Sequence, residues 1–70
     1  MNEKQKIKLP NKFSEQLIHS PETGMGYHKI DLYLNNGQII KNQIVLNCSI
    51  LTLEKSIELN IEDIEKLVVL

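Results

Sequence analysis

The stretch that decides the fold is Tyr27-His28-Lys29-Ile30-Asp31-Leu32-Tyr33-Leu34-Asn35-Asn36-Gly37. Its first part alternates. His28, Ile30, Leu32 and Leu34 fall on one face, and Tyr27, Lys29, Asp31 and Tyr33 on the other, the period-two pattern of a half-buried strand. Asn35-Asn36-Gly37 then supplies a tight reversal, because such turns need positive φ and Asn-Gly tolerates it. The return strand holds Ile40, Ile44 and Leu46 in one phase, interrupted by Asn42. A register that sets Leu34 against Ile40, Ile30 against Ile44 and His28 against Leu46 keeps both faces consistent, which predicts a hairpin loop with a bulge.

Working outward toward the C-terminus, Cys48 to Leu53 is a third apolar run, and Glu54-Lys55-Ser56 is a polar reversal. Ile57-Glu58-Leu59 gives a short alternating strand. Asn60-Ile61-Glu62-Asp63 reads as a capped helical turn, with the Asn60 side chain accepting an amide and Asp63 adding favourable charge. Leu67-Val68-Val69-Leu70 closes as a last strand. Toward the N-terminus, Ser20-Pro21-Glu22-Thr23-Gly24-Met25-Gly26 is a loop whose glycines hold special backbone geometry. Before it, Phe13, Leu17 and Ile18 form the apolar stripe of a short helix that ends at Ser20, since the residue before proline is pushed out of the α region. The order predicts a mainly β domain over residues 13–70. Its form is a small five-stranded antiparallel barrel, SH3-like or Sm-like, with a short N-terminal helix and a helical turn before the last strand. Residues 1–12, with Lys4, Lys6, Lys8 and Lys12 against Glu3, are expected to be a flexible basic arm.

Composition narrows the function. A 70-residue chain makes one domain with a marginal core. Small scaffolds of this kind rely on disulfides, a metal or oligomerisation. A single cysteine, Cys48, cannot form an internal disulfide, so self-association is the expected aid. Ten Ile, ten Leu and three Val supply most of the apolar content, and this suits a β-rich core. Arg is absent. All eight basic charges are Lys, which lacks the planar fork that reads phosphate or guanine bidentately, and this weakens a nucleic-acid reading. The charged start has no apolar core of a signal peptide, and no segment approaches the roughly 20 apolar residues of a membrane helix. A cytoplasmic protein without membrane contact is expected.

Candidate chemistry is thin. His28 and Cys48 fall near each other in the expected register, but a nucleophilic dyad also needs an orienting group, an oxyanion site and a cleft. His19, Glu22 and His28 flank the loop at no established metal-ligand spacing. Gly24-Met25-Gly26 leads into a strand and lacks the Lys and Ser/Thr of a phosphate loop. No catalytic, cofactor or metal residue is therefore assigned, and no enzyme activity or cofactor is expected. Tyr27, Lys29 and Tyr33, sharing one strand face, together with Pro21 and Met25 of the loop, form the candidate interaction surface.

Phe13-Ser14-Glu15-Gln16-Leu17-Ile18, the Ser20-Pro21-Glu22-Thr23-Gly24-Met25-Gly26-Tyr27 loop, and the closing Glu62-Asp63-Ile64 and Val68-Val69 resemble a family of short bacterial proteins that has no established activity. The resemblance covers about residues 13 to 70, and the loop is its specific motif. At Asn36-Gly37-Gln38 the chain departs from that family's more charged hairpin. The expected function is a non-enzymatic binding or assembly module whose partner is a second copy or another protein. The alternative is an Sm-like RNA binder.

Overall fold

The computed structural model describes residues 4–70. Five strands, β1 (Lys4–Lys8), β2 (Tyr27–Leu34), β3 (Ile39–Leu46), β4 (Ile50–Glu54) and β5 (Ile64–Val69), form one antiparallel sheet in the order β1-β4-β3-β2-β5. One helix, α1 (Asn11–Ile18), lies between β1 and β2, and a 3-10 turn (Ile61–Asp63) precedes β5. The sheet is open, since β1 and β5 each have a single neighbour. A mainly β fold of five antiparallel strands with one short helix is thus present, while the closed barrel expected from sequence is not seen.

The strands are not all those expected. Lys4–Lys8, expected in a flexible arm, is an edge strand paired with β4 from Lys4↔Glu54 to Lys8↔Ile50. Ile7 packs against the core from this strand; Lys4, Lys6 and Lys8 alternate with Gln5 and Ile7, but with Ile7 the strand's single apolar residue the period-two signal is weak. Met1, Asn2 and Glu3 of the expected arm lie outside the described residues. Ile57-Glu58-Leu59 is not a strand but a strap leading from β4 toward β5. Ile57 and Leu59 still pack against the core, and Gln5 Nε2 donates to the Ile57 carbonyl at 2.6 Å. The alternation turns Ile57 and Leu59 inward without placing them in a ladder.

The central hairpin keeps its loop and its bulge in a different register. Gly37 N–H donates to the Leu34 carbonyl, Leu34 N–H donates to the Gln38 carbonyl, and Gly37 has φ 90°, which only glycine adopts without strain. Leu32 lies opposite Ile40, whereas Lys29 lies opposite Ile44 and His28 opposite Val45. Between them the register slips at Asn42, which has φ 60° and whose N–H donates to Asp31 Oδ1 at 2.9 Å. This bulge inverts the phase of β3: Ile40 and Val45 face the core, and Ile44 and Leu46 face out. The expected pairings Leu34/Ile40, Ile30/Ile44 and His28/Leu46 are corrected accordingly.

The inner face of the sheet buries Ile30, Leu32, Leu34, Ile40, Val45, Leu51, Leu53, Ile64 and Leu67 beneath Leu9, Phe13 and Leu17. Pro10 is in extended geometry ahead of α1, and its carbonyl takes the first helical amides, from Phe13 and Ser14, without any side-chain cap. Phe13 and Leu17, one turn apart, bury the helix's inner stripe, while Ile18, expected in that stripe, is 64% exposed. Two polar bonds fix the helix to the sheet. Gln16 Nε2 donates to the Leu67 carbonyl at 3.0 Å, and His28 Nε2 lies 3.0 Å from the Ser20 carbonyl. At the 3-10 turn, Asp63 N–H bonds the Asn60 backbone carbonyl, and the Asn60 side chain makes no cap.

Candidate functional site

The pairing registers fix which side chains share the outer face, because residues directly opposite in a sheet point the same way. One row runs Tyr27, Leu46, Ile50, Lys8; the next runs Lys29, Ile44, Thr52, Lys6. Beyond them Asp31 lies opposite Val68, and Tyr33 lies between Ile39 and Lys66. Tyr27, Lys29 and Tyr33 do occupy one face, as their alternation predicts. Ile39, Ile44, Leu46, Ile50 and Val68 join them, and sequence reasoning missed these because it carried the β3 phase straight through Asn42. Val45, the residue that takes the buried phase after Asn42, was the available signal.

Neither tyrosine ring is bare. Lys66 Nζ sits 4.9 Å from the Tyr33 ring centroid, a cation–π contact. The Tyr27 ring packs on Gly24 so closely that a Cβ there would overlap it. The loop that brings Gly24 to the ring is held by its own backbone. Thr23 and Gly24 N–H groups donate to the Tyr27 carbonyl, Tyr27 N–H donates to the Gly24 carbonyl, and Lys29 N–H donates to Thr23 Oγ1 at 2.8 Å. Gly26, at φ 81°, completes the reversal, and its carbonyl accepts from Asn47 N–H at 3.1 Å. That last bond ties the loop to the β3–β4 turn at one end of the outer face. Met25 is carried at the loop tip, 99% exposed, two residues from Tyr27. Pro21 is exposed in the segment after α1, outside the sheet.

Charge is sorted between the two sides of the molecule. The outer face carries Lys4, Lys6, Lys8, Lys29 and Lys66 against Asp31 and Glu54. Helix α1, the following loop, the strap and the 3-10 turn carry Glu15, Glu22, Glu58, Glu62 and Asp63 against Lys12 and Lys55. With Lys41 of β3 and Glu65 of β5 cancelling, the near-neutral total averages a basic sheet face and an acidic covering layer.

The other sequence candidates sit apart from this surface. His28 is fully buried on the inner face, with Nε2 directed to the Ser20 carbonyl and Nδ1 without a hydrogen-bond partner. The Ser20 carbonyl can only accept, so Nε2 carries the proton and the ring is a structural strut between β2 and the end of α1. Cys48 is a half-buried free thiol in the β3–β4 turn, packed against the core. Among the described residues no group of three His, Cys, Asp or Glu side chains is placed to hold a metal ion. Among them also, no helix is long and apolar enough to cross a membrane. Comparison with known proteins gives no matching family model, no matching curated protein and no matching solved structure.

Proposed function

We propose that the chain is a non-enzymatic binding and assembly module that works through the outer face of its sheet and associates with a second copy of itself. The carrying observation is the cluster of half-buried Leu46 and Ile50 in the row of Tyr27, with Ile44 in the adjacent row, apolar side chains on the face opposite the core. An apolar patch rimmed by polar groups is the usual form of a protein contact surface. Charge sorting favours one geometry. Two outer faces brought together would oppose lysines, whereas an outer face set on a neighbour's acidic covering layer pairs unlike charges. The five-stranded antiparallel order, with a 3-10 turn before the last strand, supports reading the fold as an SH3-like or Sm-like barrel left open between β1 and β5. Cytoplasmic function without a cofactor is part of the same proposal.

Light scattering on the full chain at tens of micromolar tests it. We expect a mass above the monomer that falls with added salt, and a monomer for Ile44→Lys, whose half-buried side chain lies at the centre of the patch. A strict monomer at every concentration would overturn it. The five lysines of the outer face favour a second reading, single-stranded RNA, although the covered tyrosine rings offer little area for base stacking. That reading requires anisotropy of a labelled oligonucleotide to rise on titration at low salt and to collapse as salt increases.

A further inference from the structure

We propose that the free edge of β1 is a docking site for an extended peptide that alternates apolar and acidic side chains. The site adjoins the outer-face patch and shares its Lys4, Lys6 and Lys8, but its main-chain edge and its inner groove lie outside that patch. Leu9 N–H donates to the Ser49 carbonyl at 2.8 Å, continuing the β1–β4 ladder past Lys8. Antiparallel pairing alternates, so Gln5 and Ile7 direct their backbone groups to β4, and Lys4, Lys6 and Lys8 direct theirs to the open side. The same three residues set their side chains on the outer face, about 7 Å apart along the strand. On the inner side of this edge, a groove of about 540 Å³ runs between β1 and the strap, lined by Gln5, Ile7, Leu59, Asn60, Ile61 and Glu62.

A strand added here would meet two unlike environments on its two faces. Side chains turned to the outer face lie beside the lysines and are best carboxylates. Those turned inward meet Ile7, Leu59 and Ile61 among the polar Gln5 and Asn60, and the Glu62 carboxylate disfavours an acidic group there, so an uncharged, mainly apolar side chain fits best. Main-chain bonds to the edge supply affinity and the alternating pockets supply selectivity, as in other strand-addition contacts. The lysines also repel the β1 edge of a second copy, so they bar self-pairing while leaving an acidic strand favoured. The opposite edge is less available, because Gln16 of α1 occupies the Leu67 carbonyl on β5.

The test uses the full chain and capped synthetic peptides, Val-Glu-Val-Glu-Val and its counterpart with Lys in place of Glu. Amide shift mapping and hydrogen exchange by NMR are the readouts. The acidic peptide is expected to shift β1 resonances and to slow exchange of the Lys6 and Lys8 amides, and the lysine peptide to do neither. Lys4→Glu/Lys6→Glu/Lys8→Glu is expected to weaken binding roughly tenfold. Lys6→Pro removes an edge N–H that the β4 ladder does not use, so it is expected to abolish binding in a folded chain. Should that variant unfold, an acidic peptide N-methylated on its pairing edge makes the same test from the other side and is expected not to bind. Absence of shifts at millimolar peptide, equal binding of the lysine peptide, or shifts confined to β5 or the outer-face patch would overturn the proposal. Ile44→Lys, which tests the self-association surface, is expected to leave peptide binding intact, so the two ideas fail separately.

Discussion

His28 shows how one buried polar residue can fix the seam between layers. It stands in the buried phase of β2 among aliphatic neighbours, and its hydrogen bond to the Ser20 carbonyl is where the chain leaving α1 meets the sheet. Replacing it with Ala removes that bond and leaves a cavity, a loss of about 2–4 kcal/mol in urea unfolding. His28→Gln, whose amide reaches as far as Nε2, should recover a measurable part of this. Equal losses for Ala and Gln would show that only volume matters at the position. Gly24 is constrained by contact rather than by φ, since the ring of Tyr27 occupies the space a Cβ would need. Gly24→Ala should therefore push the half-buried ring aside, at a cost of about 1 kcal/mol, below that of overpacking a core. In the double variant with Tyr27→Ala most of that cost should vanish, because the ring that causes it is gone. Additive losses in this double-mutant cycle would reject the steric explanation.

Among the elements, the two turns of the β2–β3–β4 meander contrast in how openly their sequences declare them. Asn35-Asn36-Gly37 places glycine where positive φ is required, and the turn was legible from composition alone. The β3–β4 turn needs positive φ at two successive residues and uses Asn47 and Cys48, at φ 51° and 61°, closed by Ser49 N–H to the Leu46 carbonyl. Cys48 carries no turn signature, so it read as the start of a strand that in fact begins at Ile50. The left-handed conformation costs a side-chain-bearing residue about 1–2 kcal/mol, most for a β-branched one. Cys48 already bears that cost, so Cys48→Val should lose only the β-branched excess, about 1 kcal/mol, despite its similar size, whereas Cys48→Gly should be at least as stable as the native chain in chemical denaturation. A fully stable valine variant would contradict the strained turn. The same logic explains the candidate surface. Tyr27, Lys29 and Tyr33 were readable because β2 alternates without interruption. Ile44 and Leu46 were not, because the Asn42 bulge changes their face and only a tertiary partner, Asp31, reveals it.

Across the whole molecule, the feature hardest to read was where the fifth strand comes from. Local patterning offered Ile57-Glu58-Leu59 beside β4 by a short reversal, which is entropically the nearer partner. The chain instead pairs β4 with Lys4–Lys8, about fifty residues away, and lays the strap across the inner side, where Gln5 bonds the carbonyls of Glu54 and Ile57. This arrangement gives β4 two neighbours and places Ile7 and Leu9 against the core. It also makes the N-terminal segment structural, which truncation tests directly. A domain of this length has a total stability of roughly 4–10 kcal/mol. Removing residues 1–8 would strip one ladder from β4, remove Ile7 and uncover Leu51 and Leu53, both fully buried in the intact chain. Each kcal/mol is worth about 4–8 °C in a domain of this size, so the truncated chain should melt at least about 10 °C lower or fail to unfold cooperatively. A flexible arm would contribute nothing to the melt. An unchanged midpoint by circular dichroism would therefore return Lys4–Lys8 to the role of an arm and remove the edge on which peptide docking depends.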